Sequence, residues 1–211
     1  MQLVLLSGGS GKRLCPLSNN VRSKQFLPLL EKEDGTIESM VQRVVRQAKA
    51  AGLTNAITLA TNTSQLDIIT NQLGDTVSVV TEPECRDTFP AIALAASYLH
   101  FAKCCADDEV IVIMPCDPYT EADYFETIGK MVECVKRDVA ELVLMGITPT
   151  YPSEKYGYVM PIASDNEYKM VSYFTEKPTV ERAKELLAEN AYWNGGVFAF
   201  RLGYMMNIVK K

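Results

Sequence analysis

Residues able to handle phosphate stand close together near the start of the chain. Gly8, Gly9 and Gly11 follow the apolar run Leu3-Val4-Leu5-Leu6, and Lys12 and Arg13 come directly after them. Glycines let a backbone turn sharply and bring its N–H groups close to a ligand. A nest of amides flanked by two cations suits phosphate oxygens. Between Met1 and Leu30 there is no acidic residue, yet Lys12, Arg13, Arg22 and Lys24 are present in a chain of net charge -5. A basic loop in an acidic protein points to a small anionic ligand rather than to a nucleic-acid surface. Two familiar phosphate loops fit poorly. A P-loop would need glycine at position 6 and Ser or Thr at 13, where Leu6 and Arg13 stand. A dinucleotide fingerprint starting at Gly9 would put its third glycine on Leu14.

Other chemistry-bearing residues follow strand-like runs. Val110 to Met114 is a buried-strand pattern that leads into Pro115-Cys116-Asp117-Pro118. An aspartate just past a strand end is well placed to hold Mg²⁺ on a triphosphate, although a turn aspartate before proline is also common. The segment Glu82 to Ala91 follows another strand. There Asp87 or Thr88 can cap the next helix, with Pro90 in its first turn.

These residues need a scaffold, and the hydrophobic pattern supplies one. Strands are expected at Leu3–Leu6, Asn55–Ala60, Val77–Thr81, Val110–Met114 and Leu142–Gly146. Helices are expected over Thr36–Ala51, closed by Gly52, over Thr63–Leu73, closed by Gly74, and over Ala91–Ala102 and Ala122–Lys136. Alternating strands and helices with short connections predict a mostly parallel sheet flanked by helices, with ligands at the carboxyl ends of the strands. Near Thr148 the rhythm changes. Tyr156–Ile162 and Tyr168–Phe174 read as paired strands, Val180–Glu189 as a helix, Gly196–Arg201 as a strand, and Tyr204 onward as a helix. This predicts a second lobe on one domain spanning 1–211, with the boundary between 1–147 and 148–211.

The chain is long enough for one large domain, and its 47% apolar and 22% charged residues are ordinary for a globular protein. No leader or membrane span is evident, which predicts a cytoplasmic protein without a membrane partner. Six cysteines without a C-x-x-C pair then read as reduced and mostly buried thiols. His100 alone and the cysteine spacing argue against zinc.

The run from Gly8 to Leu17 follows the pattern Gly-Gly-x-Gly-x-Arg-Leu-x-Pro-Leu, and Lys24-Gln25-Phe26-Leu27 comes after it. This resembles the sugar-phosphate nucleotidyltransferases, closest to the mannose-1-phosphate guanylyltransferases. Glu82-Pro83 with Arg86-Asp87-Thr88-Phe89-Pro90-Ala91 resembles the family's nucleotide segment, with Asp87 for its Asn and Phe89 for its Ala. Pro118 stands where the family has histidine. Three later stretches resemble its sugar segments: Tyr156-Gly157-Tyr158, Phe174-Thr175-Glu176-Lys177-Pro178 and Trp193-Asn194-Gly195-Gly196-Val197-Phe198. The resemblance implies a three-layer, Rossmann-like α/β fold of the nucleotide-diphospho-sugar transferase type, with a small mixed-strand sugar-binding lobe. It implies transfer of a nucleotidyl group from GTP to mannose 1-phosphate, with pyrophosphate as the second product. Arg13, Lys24 and Asp117 would be catalytic, with Asp117 on Mg²⁺. Leu6, Gly8, Gly9, Gly11, Lys12, Arg13, Asp87 and Thr88 would bind the nucleotide. Gly157, Tyr158, Glu176, Lys177 and Asn194 would bind the sugar phosphate. Another base and sugar, or a nucleotide-sugar-binding protein with impaired catalysis, are the alternatives, and a homo-oligomer stays open. The family places a second metal-holding aspartate after the Trp-Asn strand. Here the thirteen residues after Phe198 include no acid and carry Met205, Met206, Ile208 and Val209. That predicts a truncated C-terminus or an apolar helix seeking a covering partner.

Overall fold

Four apolar runs form the centre of the larger part of the protein. They are β1 (Gln2–Leu6), β4 (Ile57–Asn62), β5 (Ser78–Glu82) and β6 (Val110–Pro115). A computed structural model describes residues 1–8, 17–19, 22–84, 86–164 and 166–210. The chain forms two compact units, Met1–Val143 with the stretch from Phe198 onward, and Leu144–Val197.

In the larger unit β1 pairs in parallel with both β4 and β6, and β4 pairs in parallel with β5. The later residues of β10 (Tyr192–Arg201) run antiparallel to β6, giving the order β5-β4-β1-β6-β10. Leu3, Val4, Leu5 and Ile111 to Met114 are all fully buried, as parallel strands covered on both faces require. The chain winds from β1 outward to β5 and then returns to place β6 on the other side of β1. The topological switch therefore falls between β1 and β6, the position where open α/β sheets hold ligands.

The helices follow from local signals. Helix α1 (Met40–Ala50) starts at Ser39, whose Oγ accepts from the Gln42 amide while the Gln42 side chain reaches back to the Ser39 N–H. That capping box moves the start from the expected Thr36 to Met40. The residues before it, β3 (Ile37–Ser39), pair with β2 (Pro28–Glu31) as a hairpin that periodicity did not reveal. Helix α2 (Leu66–Leu73) follows a 3-10 turn at Thr63–Gln65. Helix α3 (Thr88–Ser97) begins three residues before the expected Ala91 and continues into a π-helical turn at Tyr98–Ala102. Helix α4 spans Ala122–Lys136, as expected.

The last helix, α6 (Leu202–Val209), corrects two expectations. It begins before Tyr204, and Met205 and Met206 are not exposed. They are 5% and 3% exposed and pack with Ile92, Ala95, Ala96 and Leu99 from α3 and its π-helical turn. The expected partner is thus a helix of the same chain, which sequence periodicity could not identify. The cysteines also differ from expectation. Among the described four, Cys116 is buried, Cys105 and Cys134 are half-buried and Cys104 is exposed. Cys15 and Cys85 lie outside the described residues.

The smaller unit is built on β8 (Tyr158–Pro161) and β9 (Val171–Thr175), paired antiparallel as expected. The early residues of β10 pair with β8, and β7 (Leu142–Ile147) pairs with β10. Helix α5 (Val180–Ala188) is capped by Thr179 and buries Ala183 and Leu186 with Tyr158 and Met160. No helix among the described residues is long and apolar enough to cross a membrane.

Candidate active site

The end of β1 is tied on both sides just where the glycines begin. Ser7 N donates to the Ala60 carbonyl at 2.8 Å, and Cys116 N donates to the Leu6 carbonyl at 3.1 Å. These bonds carry both strand pairings one residue past the sheet, so Leu6 and Ser7 lie beside Cys116, with Gly8 and Asp117 the next residue of each segment. Ser7 is buried and Gly8 is exposed. Gly9, Gly11, Lys12 and Arg13 lie outside the described residues.

Lys24 reaches this crevice from a 3-10 turn, Lys24–Phe26, that is anchored by buried Gln25 and Phe26. Its ammonium forms an ion pair with the Asp117 carboxylate. The two side chains are 46% and 25% exposed, so the pair adds little to stability and both partners stay open to a ligand. Burial and the Asp117 charge push the Cys116 thiol up to about 12, and the same two causes raise the Tyr124 phenol. Among the described residues the Asp117 carboxylate is thus paired with the Lys24 ammonium, while the neighbouring Cys116 thiol stays protonated.

Among the described residues no three His, Cys, Asp or Glu side chains cluster as a metal cage. The donor set nonetheless fits Mg²⁺, which is commonly held by one or two carboxylates together with substrate phosphates. Asp117 supplies one part-exposed carboxylate at a strand end.

The segment after β5 departs from expectation at Asp87. It occupies the N-cap of α3, but its side chain makes no capping bond, and its backbone has φ 61° and ψ -173°. That region is nearly exclusive to glycine and costs of order 1–3 kcal/mol, so strain is stored here. Asp87 and Thr88 are both exposed. Glu82, at the end of β5, is buried, and desolvation raises its proton affinity.

In the smaller unit four of the expected sugar residues come together. The Gly157 carbonyl accepts from the Asn194 N–H at 2.8 Å. A Cβ on Gly157 would lie 2.6 Å from Glu176 Oε2 and 2.5 Å from Phe174 Cζ, so only glycine lets these side chains lie where they do. Lys177 Nζ is 3.3 Å from Glu176 Oε1, and the Lys177 backbone has a positive φ of 42°. The Asn194 side chain accepts from Gly196 N at 3.0 Å, which shapes the turn at Gly196, φ 68°. The Tyr158 side chain is engaged elsewhere. It is buried, with its hydroxyl accepting from Ser153 N at 2.8 Å and donating to Ser153 O at 3.2 Å.

Two groupings were missed by sequence reasoning. Tyr151 and Tyr156 lean on Trp193 with ring centroids 5.1 and 4.8 Å away, and the Tyr151 hydroxyl raises the Tyr156 phenol. A buried polar network also joins Ser7, Ser23, Gln25, Thr61 and Gln65. Neither has a local sequence signal, because each joins distant positions.

A family model described as "Nucleotidyl transferase" matches residues 2–211. The chain is 33% identical over 216 residues to an alginate biosynthesis protein AlgA from Pseudomonas syringae pv. tomato, covering 99% of this chain and 43% of that protein. It is 33% identical over 205 residues to a mannose-1-phosphate guanylyltransferase from Sinorhizobium fredii, covering 93% and 38%. The chain thus spans about two fifths of the length of these curated relatives. A solved structure described as a mannose-1-phosphate geranyltransferase from Thermus thermophilus superposes with a TM-score of 0.84 at 28% identity, covering 100% of this chain and 60% of that one.

Proposed function

The chain belongs to the nucleotidyl transferase family, and from that premise we propose that it transfers a nucleotidyl group from GTP to mannose 1-phosphate. The choice of GTP and mannose 1-phosphate is supported by the relative from Sinorhizobium fredii. In the reaction an oxygen of the sugar phosphate attacks the α-phosphorus. A new P–O bond forms, the bond from the α-phosphorus to the bridging oxygen breaks, and pyrophosphate leaves with the electron pair. The nucleophile is anionic at neutral pH, so the protein needs no general base. Its work is positioning and charge neutralisation.

The observation that carries this reading is the Lys24–Asp117 pair just past the end of β6, at the β1/β6 switch point where β1 leads into Gly8. The larger unit would take the triphosphate on the amides of Gly8, Gly9 and Gly11, with Lys12 and Arg13 on its oxygens. Leu6, Asp87 and Thr88 would border the nucleoside. Lys24 would neutralise a phosphate oxygen. Asp117 would hold Mg²⁺, which supplies charge neutralisation at the triphosphate when bound. In the smaller unit Glu176 and Asn194 would hold sugar hydroxyls beside Gly157 and Tyr158, and Lys177 would face the sugar phosphate.

A second reading, a nucleotide-sugar-binding protein that does not turn over, is favoured by Asp87 and Pro118 in place of the family's Asn and His. Pyrophosphate release across a panel of four nucleoside triphosphates and several sugar 1-phosphates separates the two. Turnover greatest with GTP and mannose 1-phosphate supports the proposal. Tight binding without release of pyrophosphate supports the second reading.

A further inference from the structure

The glycine-rich segment has two described stems, Ser7 before it and Ser23 after it, and both are buried. Buried hydroxyls need partners. Both stems meet one side chain, Gln65, which is 0% exposed and ends the 3-10 turn before α2. Ser7 Oγ donates to Gln65 Oε1 at 3.2 Å, and Gln65 Nε2 donates to Ser23 Oγ at 2.5 Å. Thr61 Oγ1, near the end of β4, donates to the same Oε1 at 2.5 Å. Gln25 Nε2 cross-links to Ser7 Oγ at 2.9 Å. Further along α2, Gln72 Nε2 donates to the Phe26 carbonyl at 2.8 Å. The turn that carries Lys24 is therefore held in front by Gln65 and behind by Gln72.

We propose that Gln65 is a positioning residue for nucleotidyl transfer: its buried amide pins the two stems of the glycine-rich segment together and so sets Lys24 against Asp117. This rests on the functional reading above. Gln65 has no exposed surface and touches no substrate. It acts through Ser23, the residue before Lys24. The Lys24 side chain is nearly half exposed and flexible, so where its ammonium sits depends on where its backbone is held. Fully satisfied buried networks are stiff, and a displacement of about 1 Å at a reacting group costs on the order of 100-fold in rate.

The test uses Gln65→Met, which keeps the length and removes both hydrogen-bonding ends, and Ser23→Ala, which removes one partner. Each is made in the wild-type chain and in Lys24→Ala. Expected is a fall in kcat of about 10-fold or more in the wild-type background, with KM for both substrates held within about 2-fold. In Lys24→Ala the same substitutions should lower kcat by less than about 3-fold, because the group they position is gone. A merely structural role would give the same loss in both backgrounds, and that result overturns the inference, as does wild-type kcat in the variants. Should Gln65→Met not fold, Ser23→Ala decides by the same criteria. A wild-type chain with no transferase activity overturns the functional proposal and this inference with it. An active wild type with unaffected variants overturns this inference alone.

Discussion

Gly157→Ala isolates the sugar site from the fold. The added Cβ would sit 2.6 Å from Glu176 Oε2, where ordinary van der Waals contact begins at 3.4 Å, so the carboxylate must retreat by about 0.8 Å. Phe174 Cζ, 2.5 Å away, must retreat by a similar distance. Both are far ends of flexible, half-exposed side chains, so the fold accommodates the methyl at little cost. The sugar does not, because Glu176 is the group proposed to accept its hydroxyls, and misplacement of about 1 Å costs on the order of 100-fold. The expected outcome is a rise of about 10- to 100-fold in KM for the sugar 1-phosphate. KM for the triphosphate should stay within about 2-fold. Initial rates of pyrophosphate release, with each substrate varied in turn, measure both. An unchanged sugar-phosphate KM would remove Glu176 from the sugar site, and so would an equal rise for both substrates.

Other substitutions probe the metal, the buried acid and the last helix. Asp117→Asn keeps the shape and removes the charge a hard cation prefers, so Mg²⁺-dependent nucleotide binding should weaken more than metal-free binding. Calorimetry with and without Mg²⁺ would refute this by showing equal losses. Burial raises the pKa of Glu82 above its unfolded value, so its contribution to stability is full in acid and declines as pH rises through the folded pKa. Glu82→Gln should therefore raise Tm at pH 8 more than at pH 4, and equal shifts in the two melts would count against it. Met206→Ala should cost about 2–5 kcal/mol of stability by opening a cavity against α3. A denaturant midpoint unchanged from wild type would show that the helix is not packed there.

The central strands were legible because a parallel strand buried on both faces has to be a near-continuous apolar run, as Leu3 to Leu6 and Val110 to Met114 are. Helix α4 was legible because its apolar face repeats cleanly through Phe125, Ile128, Met131, Val132 and Val135. What escaped was set by partners distant in sequence. The hairpin of β2 and β3 is the exception, because a local signal was present: Asp34-Gly35 lies in the short Lys32–Thr36 turn, with Gly35 at φ 77°. Met205 and Met206 looked exposed because nothing in the sequence says that α3 covers them. At Asp87 the residue type suggested a cap, but the backbone turns the wrong way for one. The same limit applies to the site. Glycines, Lys24, Asp117 and Glu176 stand out by type and spacing, whereas Gln65 is an ordinary amide until Ser7 and Ser23 are seen on either side of it.

Every role proposed for these residues depends on attack of a sugar phosphate on the α-phosphorus, and ³¹P NMR of the chain with Mg²⁺, GTP and mannose 1-phosphate observes that step. Pyrophosphate and a diphosphate diester should appear in equal amounts as the two substrates disappear together. Orthophosphate with a nucleoside diphosphate, or no change in the spectrum, would contradict it.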